Sequence, residues 1–180
     1  MSYCHFCRER SLNDPHRIYH DHTYGFPVID DHKLFGRLIL EINQAGLSWN
    51  TILQKEQAFR EAYAEFHIDT IAQFTELDKE KLLQNKGIIR NKLKIEAVIQ
   101  NAKKVSELRT EYGSLIGWLD YHHPKSLDEW HKLFKKTFKF VGKEIVREFL
   151  VSTSYLKGAH EEDCPIYLMI EDHPPKWKML

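Results

Sequence analysis

Apolar residues recur every three to four positions along most of the chain, and strand-like alternation is hard to find, so the pattern predicts helices. Asp30 or Asp31 is placed to cap a helix running to about Asn43, with acidic residues at its amino end. After Gly46, Ser48 opens a second helix whose apolar face carries Ile52, Phe59, Ala62, Tyr63 and Phe66. Short helices are expected near Ile68–Phe74 and Lys79–Gln84, the latter capped by Asp78. A long helix follows from Arg90 to about Leu108, with Leu93, Ala97 and Val98 turned inward. Further helices are expected near Ser114–Leu119, at Leu127–Lys135 with Ser126 and Glu129 as a capping box, and at Gly142–Ser154. Beyond Gly158 the chain turns polar and proline-rich, and the tail after Asp172 reads as loosely held. The fold class is all-α, one unit over 1–180, as a single core or as two helical lobes sharing one.

One position breaks the pattern. Leu34, Leu38, Glu41 and Ala45 share a helical face, so a carboxylate interrupts an apolar stripe. Burying an ionised carboxylate without a partner costs several kcal/mol, so the interruption asks for a reason. The ordinary explanation is a carboxylate paired with a lysine or arginine. The residues that follow argue for more: an Ala45–Gly46 break, then Leu47, then Trp49.

Composition narrows the partners only slightly. The 180 residues carry 26 basic and 26 acidic side chains, so no global field calls for a polyanion or a membrane. A local basic face is still compatible with that balance, because a field acts over about one Debye length, ~10 Å at moderate salt. There is no amino-terminal signal pattern and no apolar run near the ~20 residues of a membrane span, so a soluble, cytoplasmic, monomeric protein without membrane contact is expected. Three cysteines in such a setting read as metal ligands or free thiols rather than as disulfides.

All three cysteines stand beside histidines. CHFC at Cys4–Cys7, His20 in YHD, and HEEDC at His160–Cys164 place soft ligands at both ends of the chain. His160 and Cys164, four residues apart, share a face of a helical turn. Taken singly these are surface histidines and packed thiols; taken together they raise the case for one tetrahedral zinc that ties the termini and has no open position for catalysis.

Two stretches read as helix, tight turn, helix: LLQNKGIIRNKLKI around Gly87, at about residues 82–95, and FKFVGKEIV around Gly142. Such a hairpin can aim backbone N–H groups at a phosphate, and Arg90, Lys92 and Lys94 add charge after the first turn, as Lys139 and Lys143 do at the second. Position 89 is Ile where a second turn glycine would strengthen the sign, so the hairpins alone do not outweigh ordinary helical corners.

Together, YHDHTYGFPVIDDHKLF, LEINQAGLSWNTIL, GIIRNKLKIEAVIQNA, FKFVG and GAHEEDC, in that order, resemble the DNA-3-methyladenine glycosylase I family over nearly the whole chain. The resemblance implies a helix–hairpin–helix glycosylase fold, a structural zinc joining residues 1–25 to 155–170, and double-stranded DNA bearing an alkylated adenine as partner. It implies hydrolysis of the bond between 3-methyladenine and deoxyribose, leaving an abasic site. The family's base-recognition glutamate falls on Glu41, and its pocket aromatics on Tyr19, Trp49 and Phe6. Its ligands fall on His20, His160, Cys164 and one of Cys4 and Cys7. Cys4 puts Phe6 on a pocket aromatic, whereas Cys7 keeps the more usual spacing to His20; Cys4 is favoured. The sequence departs from the family in a shortened DPHRIYHD and in an atypical segment around His122–Leu133.

Under this resemblance Glu41 meets a flipped cationic base, Tyr19 and Trp49 stack on it, and Leu47 fills the gap left in the duplex. Gly87, Arg90, Lys92 and Lys94 face the phosphates. The stretch GKEIVREFLVSTSYL offers no aspartate to activate water, with Glu144 and Glu148 read as helix-borne, so Glu41 serves recognition first and catalysis second. A zinc nucleobase deaminase would echo His160-x-Glu162 and Cys4-x-x-Cys7 but needs strands and the opposite motif order. The alternative from another class is a zinc-stapled DNA-binding module without activity, which leaves Glu41, Tyr19 and Trp49 unexplained.

Overall fold

A computed structural model describes residues 2–179, and among them there is helix but no strand. Eleven α-helices are described: α1 Tyr3–Arg8, α2 Pro15–His22, α3 Asp31–Gln44, α4 Trp49–Ala62, α5 Ile68–Ala72, α6 Glu76–Gln84, α7 Lys92–Tyr112, α8 Leu115–His122, α9 Leu127–Thr137, α10 Lys143–Ser152 and α11 Pro165–Asp172. Helix α3 is the axis of the core. Its Leu34, Phe35, Leu38, Ile39 and Ile42 are fully buried, and α4, α7, α8 and α10 pack around it. A second, small apolar cluster of Cys4, Cys164, Ile166 and Ile170, with Phe26 and Tyr167 against it, joins the two ends of the chain.

Caps set most helix starts. Asp30 caps α3 through Lys33 N, while Asp31 reaches across to accept from Leu115 N at 2.8 Å and Ile116 N at 3.0 Å, capping α8 from another helix. Ser48 caps α4, and Ser126 with Glu129 forms the expected capping box of α9. Helix α6 starts earlier than Asp78: Thr75 is the cap, and Asp78 is its reciprocal partner three residues on. Helix α7 starts at Lys92 behind Asn91, which leaves Leu93 66 % exposed rather than inward. Tyr63 and Phe66 lie in the core but not on α4, which ends at Ala62. Ala64, Glu65 and Phe66 then adopt positive φ values of 49°, 52° and 61°, turning the Phe66 ring onto Gly36. A Cβ at Gly36 would stand 2.4 Å from that ring, so only glycine admits the approach. The carboxyl-terminal tail is held rather than loose, with Trp177 N on Ser154 O at 3.0 Å and Lys176 Nζ on Asp120 at 2.7 Å.

Candidate active site

Glu41 reaches the surface of a cavity of about 280 Å³ between α2, α3, α4 and α10. The cavity is lined by Tyr3, Tyr19, Tyr24 and Trp49 as aromatic walls, with Gln44, Glu41, Arg147 and Glu148 as its polar groups. The rings of Tyr19 and Trp49 are 5.0 Å apart at 56°, and those of Tyr19 and Tyr24 are 5.6 Å apart. Trp49 is the first residue of α4, fixed there because Ser48 caps the helix and Gly46, at φ 81°, turns the chain.

Glu41 is 4 % exposed and accepts no hydrogen bond from another described side chain. Burial pushes its carboxyl up to about 8, the nearby Glu148 charge pushes it further in the same direction, and Arg37 partly offsets both. That guanidinium lies behind the wall, 5.2 Å from the Tyr19 ring centre. Burial likewise raises the Tyr19 and Tyr24 phenols, so both stay neutral at ordinary pH.

Tyr3 and Tyr24 line the cavity although nothing in the sequence marks them, and Glu148, read from the sequence as merely helix-borne, lines it too. Phe6, expected there, stacks behind Tyr3 at 6.1 Å and carries the Arg10 guanidinium on its ring at 4.0 Å instead. Glu148 is not a bystander on its helix: its side chain faces the cavity beside Tyr24 and Arg147. A signal was present, since Ile145, Glu148 and Ser152 fall at helical spacing and Ser152 is fully buried, the same interruption of an inward stripe that marks Glu41.

Behind the Tyr3 and Tyr24 wall, Cys4, His20, His160 and Cys164 converge, all buried, with their ligand atoms within 4.8 Å of one another. Cys4 Sγ lies 3.6 Å and Cys164 Sγ 3.7 Å from His160 Nδ1, and Cys164 Sγ lies 3.8 Å from His20 Nε2. Tetrahedral ligands at ~2.0–2.3 Å from one zinc would stand about 3.3–3.8 Å apart, so the set fits that ion. The outer ring nitrogens are engaged as such a site needs: His20 Nδ1 on Asp21 at 2.6 Å, and His160 Nε2 on the Tyr24 carbonyl at 2.8 Å. Cys7 points elsewhere, its thiol donating to His16 O at 3.6 Å. His160 lies outside any helix, and Cys164 is the residue that opens α11, so their convergence comes from a turn rather than a helical face.

On the outer side, Leu47 is 40 % exposed at the α3–α4 turn, next to Gln44 of the cavity. Arg90 and Lys92 are exposed, but Lys94 is not free for a phosphate. Its ammonium is buried and donates to Asn43 O at 2.9 Å and Ala45 O at 2.7 Å, closing the carboxyl end of α3. The Gly87 amide is also engaged, by Asn85 Oδ1 at 2.8 Å, and a Cβ there would stand 2.9 Å from Ala58. The second hairpin is clamped to α7 by Asn101, which accepts from Lys139 N and donates to Lys139 O. Its Gly142 opens α10 with no side-chain cap and open space around it.

A family model, Methyladenine glycosylase, matches residues 10–132. The chain belongs to the methyladenine glycosylase family. Among its relatives, a DNA-3-methyladenine glycosylase from Haemophilus influenzae is 34 % identical over 168 residues, covering 82 % of this chain and 89 % of the relative. DNA-3-methyladenine glycosylase 1 from Escherichia coli is 33 % identical over 83 % of this chain and 89 % of its own length. The solved 3-methyladenine DNA glycosylase I of Staphylococcus aureus, described for its recognition of 3-methyladenine, superposes with a TM-score of 0.81 at 30 % identity, covering 92 % of this chain and 97 % of that one. The all-helical methyladenine glycosylase fold is thus shared along the length of the molecule, and the strands that a deaminase needs are absent among the described residues.

Proposed function

We propose that this methyladenine glycosylase removes 3-methyladenine from alkylated double-stranded DNA by hydrolysing its N-glycosidic bond. The observation that carries the reading is a buried carboxylate, Glu41, facing an aromatic-walled cavity without a protein partner. Extruding a base from a duplex costs a few kcal/mol, which stacking on Tyr19 and Trp49 offsets. Adenine methylated at its minor-groove ring nitrogen is cationic, and its exocyclic amine is a strong donor. Glu41 accepts from that amine and attracts the ring's charge. Burial holds the proton on Glu41 until about pH 8, so arrival of a cation favours the ionised form. A neutral adenine brings no such charge and leaves the carboxyl without its reason to ionise.

Leu47 enters the gap left by the extruded base. Arg90, Lys92 and the uncapped amino end of α10 at Gly142 meet phosphates. Cys4, His20, His160 and Cys164 hold one zinc, whose chemistry is structural because four protein ligands leave no open position. Release of free 3-methyladenine from methylated duplex DNA tests the reading. DNA binding without any base release would favour a zinc-stapled binding module instead.

A further inference from the structure

Two carboxylates line one small cavity, and recognition of a single cationic base accounts for only one of them. Glu41 and Glu148 repel each other there, an arrangement that costs stability unless each has its own work. They lie at different depths: Glu41 is 4 % exposed, whereas the Glu148 side chain is 29 % exposed. A nucleotide still tethered to its strand enters base first. The floor of the cavity therefore meets the ring, and the mouth meets the sugar and the glycosidic bond. Glu148 is also engaged at both oxygens, Oε2 accepting from the Tyr24 hydroxyl at 3.2 Å and Oε1 ion-paired with Arg147 Nη2 at 2.5 Å. A carboxylate fixed from two sides at a cavity mouth is positioned, not merely solvated.

We infer that Glu148 is a catalytic residue of the hydrolysis, acting at the sugar while Glu41 acts at the base. The inference rests on the cavity being the base pocket. As the C1′–N9 bond breaks, its electron pair passes to N9 and the cationic ring leaves as neutral 3-methyladenine. The sugar becomes oxocarbenium-like, and the Glu148 charge stabilises it. A solvent water adds to C1′, Glu148 takes its proton, and the proton passes to solvent, leaving the abasic hydroxyl. Tyr24 and Arg147 are positioning residues for this carboxylate.

The test compares wild type with Glu148→Gln in single-turnover release of 3-methyladenine from methylated duplex DNA at saturating protein. It also compares their affinity for free 3-methyladenine by tryptophan fluorescence and their thermal midpoints. The expected result is a rate lowered roughly tenfold to a hundredfold, at the low end of general-base effects because the leaving group is already cationic, with base affinity and midpoint retained. An unchanged rate overturns the inference. So does a rate loss matched by an equal loss of base affinity, which would make Glu148 a second recognition group. If Glu148→Gln does not fold, Tyr24→Phe keeps the ring and removes one hydrogen bond. It should then slow release severalfold at unchanged base affinity, and wild-type rates in that variant would equally overturn the inference. Absence of release by the wild type would instead reject the glycosylase reading itself, and this assignment with it.

Discussion

The backbone carbonyl of Tyr24 lies 2.8 Å from Nε2 of His160, so the aromatic wall of the cavity is in direct contact with the Cys/His cluster. The Tyr24 and His160 rings also meet edge to face at 5.6 Å. A cluster that orients His160 therefore orients Tyr24, and through its hydroxyl the Glu148 carboxylate.

This coupling predicts what metal removal does. The purified protein should hold one zinc per chain, and chelation should lower the thermal midpoint and the affinity for 3-methyladenine together, because metal binding contributes to folding and the wall depends on the cluster. Cys4→Ser should lose the metal, whereas Cys7→Ser, whose thiol meets His16 O and the Tyr3 side chain rather than the cluster, should retain it. Metal analysis of both variants decides the point. A zinc-free wild type purified without chelator would contradict it.

Burial of Glu41 predicts a pH-dependent stability cost. The unfolded carboxyl loses its proton near 4.5, while the folded one keeps it until about 8. Between those values the unfolded state binds fewer protons, so stability falls as pH rises, by roughly 3–5 kcal/mol in all. Glu41→Gln removes the cost. Its thermal midpoint should exceed that of the wild type at pH 9 and converge with it toward pH 4.5, while release of 3-methyladenine from methylated DNA slows because the cationic nucleotide loses its anionic partner. Melting curves of both proteins across pH measure this, and parallel curves would refute it.

Lys92 and Lys94 are two positions apart on α7 and should behave as different kinds of residue. Lys92→Ala should weaken binding to all DNA sequences about equally and reduce the salt slope by about one, as loss of a phosphate contact does. Lys94→Met should leave two carbonyls of the α3 end without their charged donor, at a cost of ~1–3 kcal/mol in folding stability. Denaturant melts and salt titrations of both variants separate the roles; an unaltered stability in Lys94→Met would contradict the assignment.

That pair also shows where sequence reading stops. Periodicity located the helices because each buries one face, and it exposed Glu41 because a carboxylate on such a face is conspicuous. Periodicity does not tell whether a lysine at a helix start points to solvent or bends under a neighbouring helix end, and Lys94 does the latter. Tyr3 and Phe6 lie one helical turn apart on α1, so which of them faces the cavity depends on the docking of α1 against α2, a tertiary relation. Likewise, Thr75 displaced Asp78 as the α6 cap because both residues can cap and only the reciprocal pair engages two amides at once. Cys4 is favoured over Cys7 by its place in the family pattern, but burial does not separate the two thiols and only the geometry places Cys4 in the cluster.

The last prediction concerns selectivity among cationic purines, and it follows from the proton on Glu41. An ionised Glu41 accepts from the exocyclic amine of 3-methyladenine. The corresponding position of 7-methylguanine is a carbonyl oxygen, which would set two acceptors against each other in a buried site. An unsatisfied buried polar group costs ~1–3 kcal/mol, enough for about fivefold to 150-fold discrimination. A protonated Glu41, however, can donate to that oxygen. With its proton retained until about 8 by burial and by Glu148, against the opposing charge of Arg37, the discrimination should depend on pH. Raising the pH from 6 to 9 removes the donor form, favours the cation-accepting form, and should therefore widen the ratio of 3-methyladenine to 7-methylguanine release. Chromatography of bases freed from methylated DNA at several pH values measures that ratio directly. Comparable release of the two purines at pH 9 would show that Glu41 does not read the exocyclic group, and a ratio that narrows with rising pH would reverse the assigned protonation.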